Sequence, residues 1–406
     1  MPARYANLLI SALAILPALS ACQKNEPATS RAGAVIYLAD AGPLSGHAAA
    51  LGRDSNHGAQ LAVDDINAAG GVKLDGQSYR LELLSEDDAA QSKSGTDAAQ
   101  KIIDHGKVSA VIGHVNSGVT MMANPLYAQA GIVMITPTAT HPDIVRQAPK
   151  IAGRLNSVYR MVANDDRQGR ALAAYAAKLG VKRLAVLDDG TTYGKGMAER
   201  VAEAARSQGV AVVYRQAVSD KTIDFKPVLA NIQAKHADAY TWGGLADTAA
   251  VLVKQAQESG MRQTAFMPDA VCTETFIHLS GKAGEGTICS TTTTATADLN
   301  NGEAFRQRFE AKYPNEPLQS FAPLAYDAVQ TAVAAIRKAG SGDALKVAAA
   351  MPAVSLEGLT GPIAFDAHGE RKATAISILQ QRQGAFVPVA ECIEMQTGAA
   401  AKAQCD

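Results

Sequence analysis

The sequence has little charge imbalance and few aromatics. Its 406 residues carry 38 basic and 39 acidic side chains, for a net charge of −1. No basic field exists to attract a nucleic acid or an anionic membrane. Aromatics make up 5% of the chain, with one Trp, which leaves no base-stacking surface. Catalytic signatures are missing as well. There is no GxxxxGK[ST] phosphate loop, no HExxH and no GxSxG elbow. Gly281-Lys-Ala-Gly-Glu-Gly286 has the wrong spacing for a dinucleotide fingerprint and follows no strand. The eight histidines are scattered and form neither a metal cluster nor a Ser/His/Asp set. His114 reads as a loop histidine rather than a base or ligand, and Asp188-Asp189-Gly190 as a strand end and tight turn rather than a calcium loop. These gaps shift the expectation from enzyme to binding protein, with no cofactor and no metal.

Long apolar runs are also absent after the N-terminus. The one such run, Leu8–Leu19, follows Arg4 and is short for a bilayer span of ~20 residues. A basic start, an apolar centre and a small-residue cut site read as a secretory signal over residues 1–21. It ends Leu19-Ser20-Ala21-Cys22, which resembles a bacterial lipobox. That likeness implies cleavage before Cys22 and lipidation of its sulfur, giving an exported protein held to a membrane by lipid alone. Residues 22–33 are polar and read as a flexible tether.

Five cysteines then divide as one plus four. Cys272, Cys289, Cys392 and Cys405 remain for an oxidising compartment, where an even set suggests disulfides. Short loops favour Cys272–Cys289 and Cys392–Cys405, although sequence alone leaves the connectivity open. A zinc site is the rival reading, but spacings of 16, 102 and 12 intervening residues match no zinc signature.

The rest alternates short apolar runs with amphipathic ones. Val35–Leu38, Leu81–Leu84, Ala110–Ile112 and Ile132–Ile135 form one set of strands, with helices at Gly52–Ala69, Ser94–His105 and Val119–Gln129. Leu184–Leu187, Val210–Val213, Ala237–Tyr240, Ala265–Met267 and Thr287–Cys289 form a second. Their helices are Gly194–Ser207, Phe225–Ala234 and Ala246–Glu258. Such alternation predicts α/β architecture, with two doubly wound parallel-sheet lobes. A (β/α)₈ barrel is disfavoured by a break at residues 137–170 and by a closing pair of strands near Pro362–Phe365 and Ala375–Leu379.

In such sheets ligands bind beyond the C-terminal strand ends, where helices begin. The segment after Ala110–Ile112 holds Val115, Asn116 and Ser117, and the one after Ile132–Ile135 holds Thr138, Ala139 and Thr140. Their N–H groups and hydroxyls suit a carboxylate. Taken singly, helix capping and turn formation explain them better. In the second set Tyr193 starts a helix, and Asp269 lies just past a strand where it could meet an ammonium.

Several strings carry a family resemblance. They are Gly42-Pro-Leu-Ser-Gly46, Gly58 through Gly71, Val111-Ile-Gly-His114, Thr136-Pro-Thr-Ala-Thr140, Asp189 through Gly194, and Gly361-Pro-Ile-Ala-Phe-Asp366. Spread over roughly residues 34–390, they resemble the leucine/isoleucine/valine-binding proteins, periplasmic components of branched-chain amino-acid ABC transporters. The resemblance implies a type I periplasmic binding fold whose lobes are joined by three crossings. It implies an N-terminal lobe of residues 34–164 plus 293–375, a C-terminal lobe of 165–292 plus 376–390, and a tail of 391–406. Ser117 and Thr140 would hold the ligand carboxylate, and the Ala139 carbonyl and Asp269 its ammonium. Leu51, Val115, Asn116, Thr138, Tyr193, Leu245 and Phe321 would line the cleft. The implied partners are a small amino acid and an inner-membrane permease, for a monomer that closes on a hinge. The same clamshell could instead sense an amide or small carboxylate for a membrane receptor. Four positions depart from the family pattern. Asp269 stands where Glu is usual, and Leu245 replaces an aromatic after Trp242-Gly243-Gly244. Ala90 and Asn116 occupy the places of a cysteine pair.

Overall fold

The computed structural model describes residues 34–292, 299–374, 376–397 and 400–406. The signal segment, Cys22 and the tether lie outside the described residues. The first lobe opens with β1 (Val35–Gly42), α1 (Ala49–Ala68), β2 (Val72–Leu74), β3 (Gln77–Asp87), α2 (Ser92–Asp104) and β4 (Val108–Gly113). It continues with α3 (Ser117–Ala130), β5 (Val133–Thr136), α4 (Asp143–Arg146), a small hairpin of β6 (Lys150–Ile151) and β7 (Leu155–Asn156), and β8 (Val158–Arg160). Its six-stranded sheet runs β2-β3-β1-β4-β5-β8, parallel except for β2.

The second lobe follows with α5 (Asp165–Lys178), β9 (Arg183–Asp188), α6 (Thr192–Ser207), β10 (Ala211–Ala217), α7 (Lys226–Ala234) and β11 (Ala239–Gly243). Then come α8 (Ala246–Glu258), β12 (Thr264–Met267), α9 (Glu274–Ser280) and β13 (Ile288–Thr291). The chain returns to the first lobe for α10 (Gly302–Lys312), α11 (Phe321–Ala339), α12 (Ala344–Ala350) and a hairpin of β14 (Ser355–Gly358) and β15 (Gly361–Ala364). It ends in the second lobe with β16 (Ile376–Arg382), β17 (Ala385–Thr397) and β18 (Ala400–Cys405). The second sheet runs β10-β9-β11-β12-β13-β16-β17-β18, its first five strands parallel and its last three antiparallel. The chain thus crosses between lobes three times.

Each sheet is buried on both faces, so its central strands need no alternation. β4, β5 and β11 are buried at every position. In the first lobe α1, α11 and α12 cover one face and α2 and α3 the other. The second lobe has α5 and α6 on one face and α7, α8 and α9 on its opposite side. In each sheet the strand order turns beside the first strand, between β1 and β4 and between β9 and β11. Those two switch points face the cleft.

Two sequence readings need correction. The segments near Pro362–Phe365 and Ala375–Leu379 are not a closing pair: β15 pairs with β14, and β16 pairs with β13 and β17. Ala375 itself lies outside the described residues. Residues 391–406 are no tail, because β17 and β18 extend the second sheet. The Ala-rich end lacks β-formers, yet Cys392 and Cys405 sit opposite one another and are bridged, with Cα atoms 4.1 Å apart. A second disulfide joins Cys272 to Cys289, with Cα atoms 5.8 Å apart.

Helices α1 and α11 cross closely. A Cβ on Gly58 would lie 2.0 Å from the Ala322 carbonyl oxygen. Nearby, the buried Asp54 carboxylate accepts N–H bonds from Gln319, Phe321 and Ala322 at 2.8–3.0 Å, capping α11 from a neighbouring helix. Gly58→Ala should therefore lower stability by about 2–3 kcal/mol through overpacking. The urea midpoint reads this. The gain usual for Gly→Ala in an open helix would refute the close crossing.

Candidate functional site

A parallel strand delivers the chain to one edge of its sheet, and the next helix starts there. Five helices therefore begin around the cleft, and α11, which follows α10, adds a sixth start. Leu51 lies in the first turn of α1, Ser117 opens α3, Asp165 opens α5, Tyr193 lies in the first turn of α6, Leu245 caps α8 and Phe321 opens α11. Each helix start carries roughly half a positive charge and unpaired N–H groups. The starts of α3 and α6 nearly touch, since a Cβ on Gly118 would lie 3.1 Å from the Thr192 hydroxyl. Leu245 packs against the cores of both lobes.

Leu51, Val115, Asn116, Ser117, Thr138, Thr140, Tyr193, Leu245, Asp269, Ala270 and Phe321 line a narrow pocket. Ten of these eleven are residues singled out from sequence, and Ala270 is the addition. Ala139 is the exception. It is 1% exposed, packs in the apolar cluster beneath α3, and its carbonyl accepts from Arg160 Nη1 at 3.2 Å. Thr138 occupies the wall instead, its hydroxyl donating to the Val115 carbonyl at 3.1 Å. The pocket shares Asn116, Ser117, Tyr193 and Leu245 with a polar vestibule of about 300 Å³, whose rim includes His47, Ser92, Asp189, Thr191 and Asp220.

The loop from Val115 to Ser117 is held from below. His114 is fully buried, with Nδ1 2.7 Å from Asp88 and Nε2 3.1 Å from the Tyr127 hydroxyl. Its carbonyl accepts from the Thr120 and Thr136 hydroxyls at 3.1 and 2.9 Å. It remains a loop histidine, but one sunk in a polar network that fixes the start of α3. Ser117 Oγ accepts from the His141 N–H at 3.2 Å.

The opposite wall is acidic. Asp269 is 5% exposed, and its Oδ1 accepts from Tyr193 at 2.9 Å and from Gln168 at 3.1 Å. Burial pushes its carboxyl above the usual range, against the pull of those two donors. Asp165 is fully buried and is pushed up to about 8, first by burial and then by the Asp269 charge. Burial likewise drives the Tyr193 phenol upward. Arg160 is also fully buried, but Glu370 takes its fork at 2.9 and 2.5 Å.

Asp165 and Gln168 were missed from sequence because residues 137–170 showed no strand–helix unit. A signal existed. Asp165, Gln168, Leu172 and Ala176 fall on one helical stripe, so two polar residues continue an apolar buried face. Among the described residues no group of three or more His, Cys, Asp or Glu side chains could hold a metal ion. No helix among them is long and apolar enough to cross a membrane.

Known proteins share this organisation. A family model described as periplasmic binding protein matches residues 36–385. A leucine-, isoleucine-, valine-, threonine- and alanine-binding protein of Pseudomonas aeruginosa is 31% identical, over 84% of this chain and 89% of its own. A Leu/Ile/Val-binding protein of Rhizobium johnstonii is 31% identical over 85% of this chain and 91% of its own. Among solved structures, the branched-chain amino acid transporter substrate binding protein of Streptococcus pneumoniae, in complex with isoleucine, superposes with a TM-score of 0.78. It is 25% identical, covering 92% of this chain and all of that one. An R. palustris solute binding protein in complex with benzoate shares the fold, with a TM-score of 0.77 at 24% identity over 88% of this chain and 96% of its own.

A raised folded-state carboxyl pKa means the native state holds a proton that the unfolded chain has released. Its cost to stability appears as pH rises above about 4 and grows until the folded group ionises. Ligand-free Asp269→Asn should then melt above the parent at pH 8, with the gap closing toward pH 4. A parent that is the more stable at pH 8 would contradict the strained carboxyl.

Proposed function

This chain belongs to the periplasmic binding protein family, in its branched-chain amino-acid group, and we propose that it is the exported solute-binding component of an ABC importer. Its ligand is a small aliphatic amino acid held in the interlobe cleft. The observation that carries this reading is the polarity of the pocket, with a helix start and hydroxyls at Ser117 and Thr140 on one side and the buried Asp269 on the other. A zwitterion matches both ends. Ser117 and Thr140 take the carboxylate, Asp269 takes the ammonium, and Leu51, Val115, Leu245 and Phe321 supply an aliphatic wall. A ligand with a carboxylate alone would leave Asp269 uncompensated, which counts against a sensor of simple carboxylates.

The delivery cycle belongs to the same reading. The lobes close on the ligand by bending at the three crossings, and the closed form presents it to a permease. Lipid on Cys22 keeps the protein beside the membrane, outside the cytoplasm, as a monomer. No chemistry is performed on the ligand.

A thermal-shift screen of amino acids, amides and carboxylates tests the ligand class, because a ligand of the native state raises its melting temperature. Aliphatic amino acids are expected to give the largest shift, and a response confined to carboxylates would reverse the assignment. Asp269→Ala should remove binding by calorimetry while the fold persists. Losing one partner of a buried ion pair costs ~3–5 kcal/mol, against ~8 kcal/mol for micromolar affinity. Small-angle scattering should show the radius falling on saturation, and an unchanged radius would sink hinge closure.

A further inference from the structure

Asp269 is held differently from the other residues of the site. Ser117, Tyr193 and Phe321 stand in the first turns of helices of 14, 16 and 19 residues. Asp269 instead opens a three-residue 3₁₀ turn, Asp269–Val271, between Pro268 and Cys272. The turn is closed by the Val271 N–H on the Pro268 carbonyl and the Cys272 N–H on the Asp269 carbonyl, both at 3.0 Å. Hydrogen bonds of this kind have poor geometry, and so short a piece supports itself weakly. Its load is high, because the Asp269 carboxylate is buried and among the described residues no cation forms an ion pair with it. Such a group gains by swinging out to water. The turn therefore depends on what holds it from outside.

Both ends of the turn lead to one residue. β12 delivers the chain at Met267, whose register partner on β13 is Cys289. Cys272, at the other end of the turn, is bridged to that same Cys289. The segment from Pro268 to Cys272 is thus a closed loop, anchored at both ends on a strand buried at every position. Successive residues of a strand point to opposite faces of the sheet. Cys289 packs in the apolar cluster under α7, α8 and α9. Ser290, the next residue, reaches α5 on the other face, where its hydroxyl donates to Gln168 Oε1 at 2.9 Å. Gln168 Oε1 also accepts from the Asp269 N–H at 3.3 Å, and Gln168 Nε2 donates to Asp269 Oδ1 at 3.1 Å. β13 therefore braces Asp269 from both faces, by a covalent bridge on one and by hydrogen bonds through Gln168 on the other.

We propose that Cys272 and Cys289 are positioning residues of the ligand site: their disulfide closes the Asp269 turn onto β13 and so holds the carboxyl where a ligand ammonium meets it. Neither cysteine lines the pocket, so the bridge acts only through Asp269. With the bridge open, the turn stays joined to β13 through Met267 alone. Its backbone regains freedom, and binding must order it again before the carboxylate meets the ligand. The other disulfide supplies the comparison. Cys392–Cys405 joins β17 to β18, the last two strands of the same sheet, away from the turn. It stabilises the lobe without positioning Asp269. This inference rests on the proposed amino-acid reading of the pocket.

Two measurements test it. In the first, L-leucine affinity is read by calorimetry at a temperature where every variant is folded. Cys272→Ser should weaken binding about tenfold, the order expected when a short segment must be ordered on binding. Cys392→Ala/Cys405→Ala, which also loses a bridge, should stay within about twofold of the parent. Parent-like affinity in Cys272→Ser, or an equal loss in both variants, overturns the proposal. In the second, the ligand-free protein carries ¹³C-carboxyl aspartate. The NMR resonance that Asp269→Asn removes should shift or broaden in Cys272→Ser and stay in place in Cys392→Ala/Cys405→Ala. A resonance unmoved in Cys272→Ser, or displaced equally in both, overturns the proposal. Should Cys272→Ser not fold, reducing the folded Cys392→Ala/Cys405→Ala protein opens the remaining bridge and must give the same two results. Leucine failing to bind the parent would count against the amino-acid reading, while the ligand-free resonance still decides the positioning role.

Discussion

Parallel strands impose one constraint from which the site follows. Each crossover must return to the same edge of the sheet, so each following helix begins at the opposite edge. Facing two such edges across a cleft gathers helix starts. Here α1, α3, α5, α6, α8 and α11 all contribute pocket residues from their first turn or cap, or a carboxyl behind the wall. The cleft is electropositive by construction, without a basic side chain on its wall. This reconciles a near-zero net charge with the proposed carboxylate site: the fixed dipoles are backbone, and they add nothing to the charge count.

An electropositive cleft would by itself hold any small anion. The acids on the second lobe restrict it. Asp269 and Asp165 are removed from water with hydrogen bonds but no cation, which is unfavourable for folding and favourable for a ligand that brings one. Part of the cost is met by the dipoles of α5 and α6, whose first turns carry Asp165 and Tyr193. Part is met by Gln168, held by Ser290 and by the Asp269 backbone. The polar scaffold is thus built before any ligand arrives, as is the His114 network under the opposite loop. Preorganisation on both sides means that ligand contacts are not spent on ordering side chains.

The parallel architecture was legible because fully buried strands such as Val108–Gly113 and Ala239–Gly243 are short apolar runs set between amphipathic helices. Strand ends were legible too, so every pocket residue except Ala270 could be named in advance. What was not legible has physical reasons. The Ala139 carbonyl accepts from Arg160, a tertiary partner that no local pattern reveals. The stretch from 137 to 170 hid β8 and α5 because β8 is three residues long and α5 places polar Asp165 and Gln168 on its buried face. The β17–β18 hairpin was unreadable because Ala400–Cys405 pairs through backbone and a disulfide rather than through β-forming side chains.

Leu245 ties these strands of argument together. It caps α8 at the second lobe's switch point, yet it packs against the apolar cores of both lobes. The aliphatic side chain therefore forms part of the interlobe contact as well as part of the pocket wall. A flat aromatic at this position would cover more of the opening between the pocket and the polar vestibule. Leu245 instead lines both spaces and leaves them continuous through Asn116, Ser117 and Tyr193. Asp269, one methylene shorter than Glu, keeps its carboxyl back against Tyr193 and Gln168. On the proposed amino-acid reading, helix starts and buried acids would set the polarity of the ligand, and the gap beside Leu245 its length.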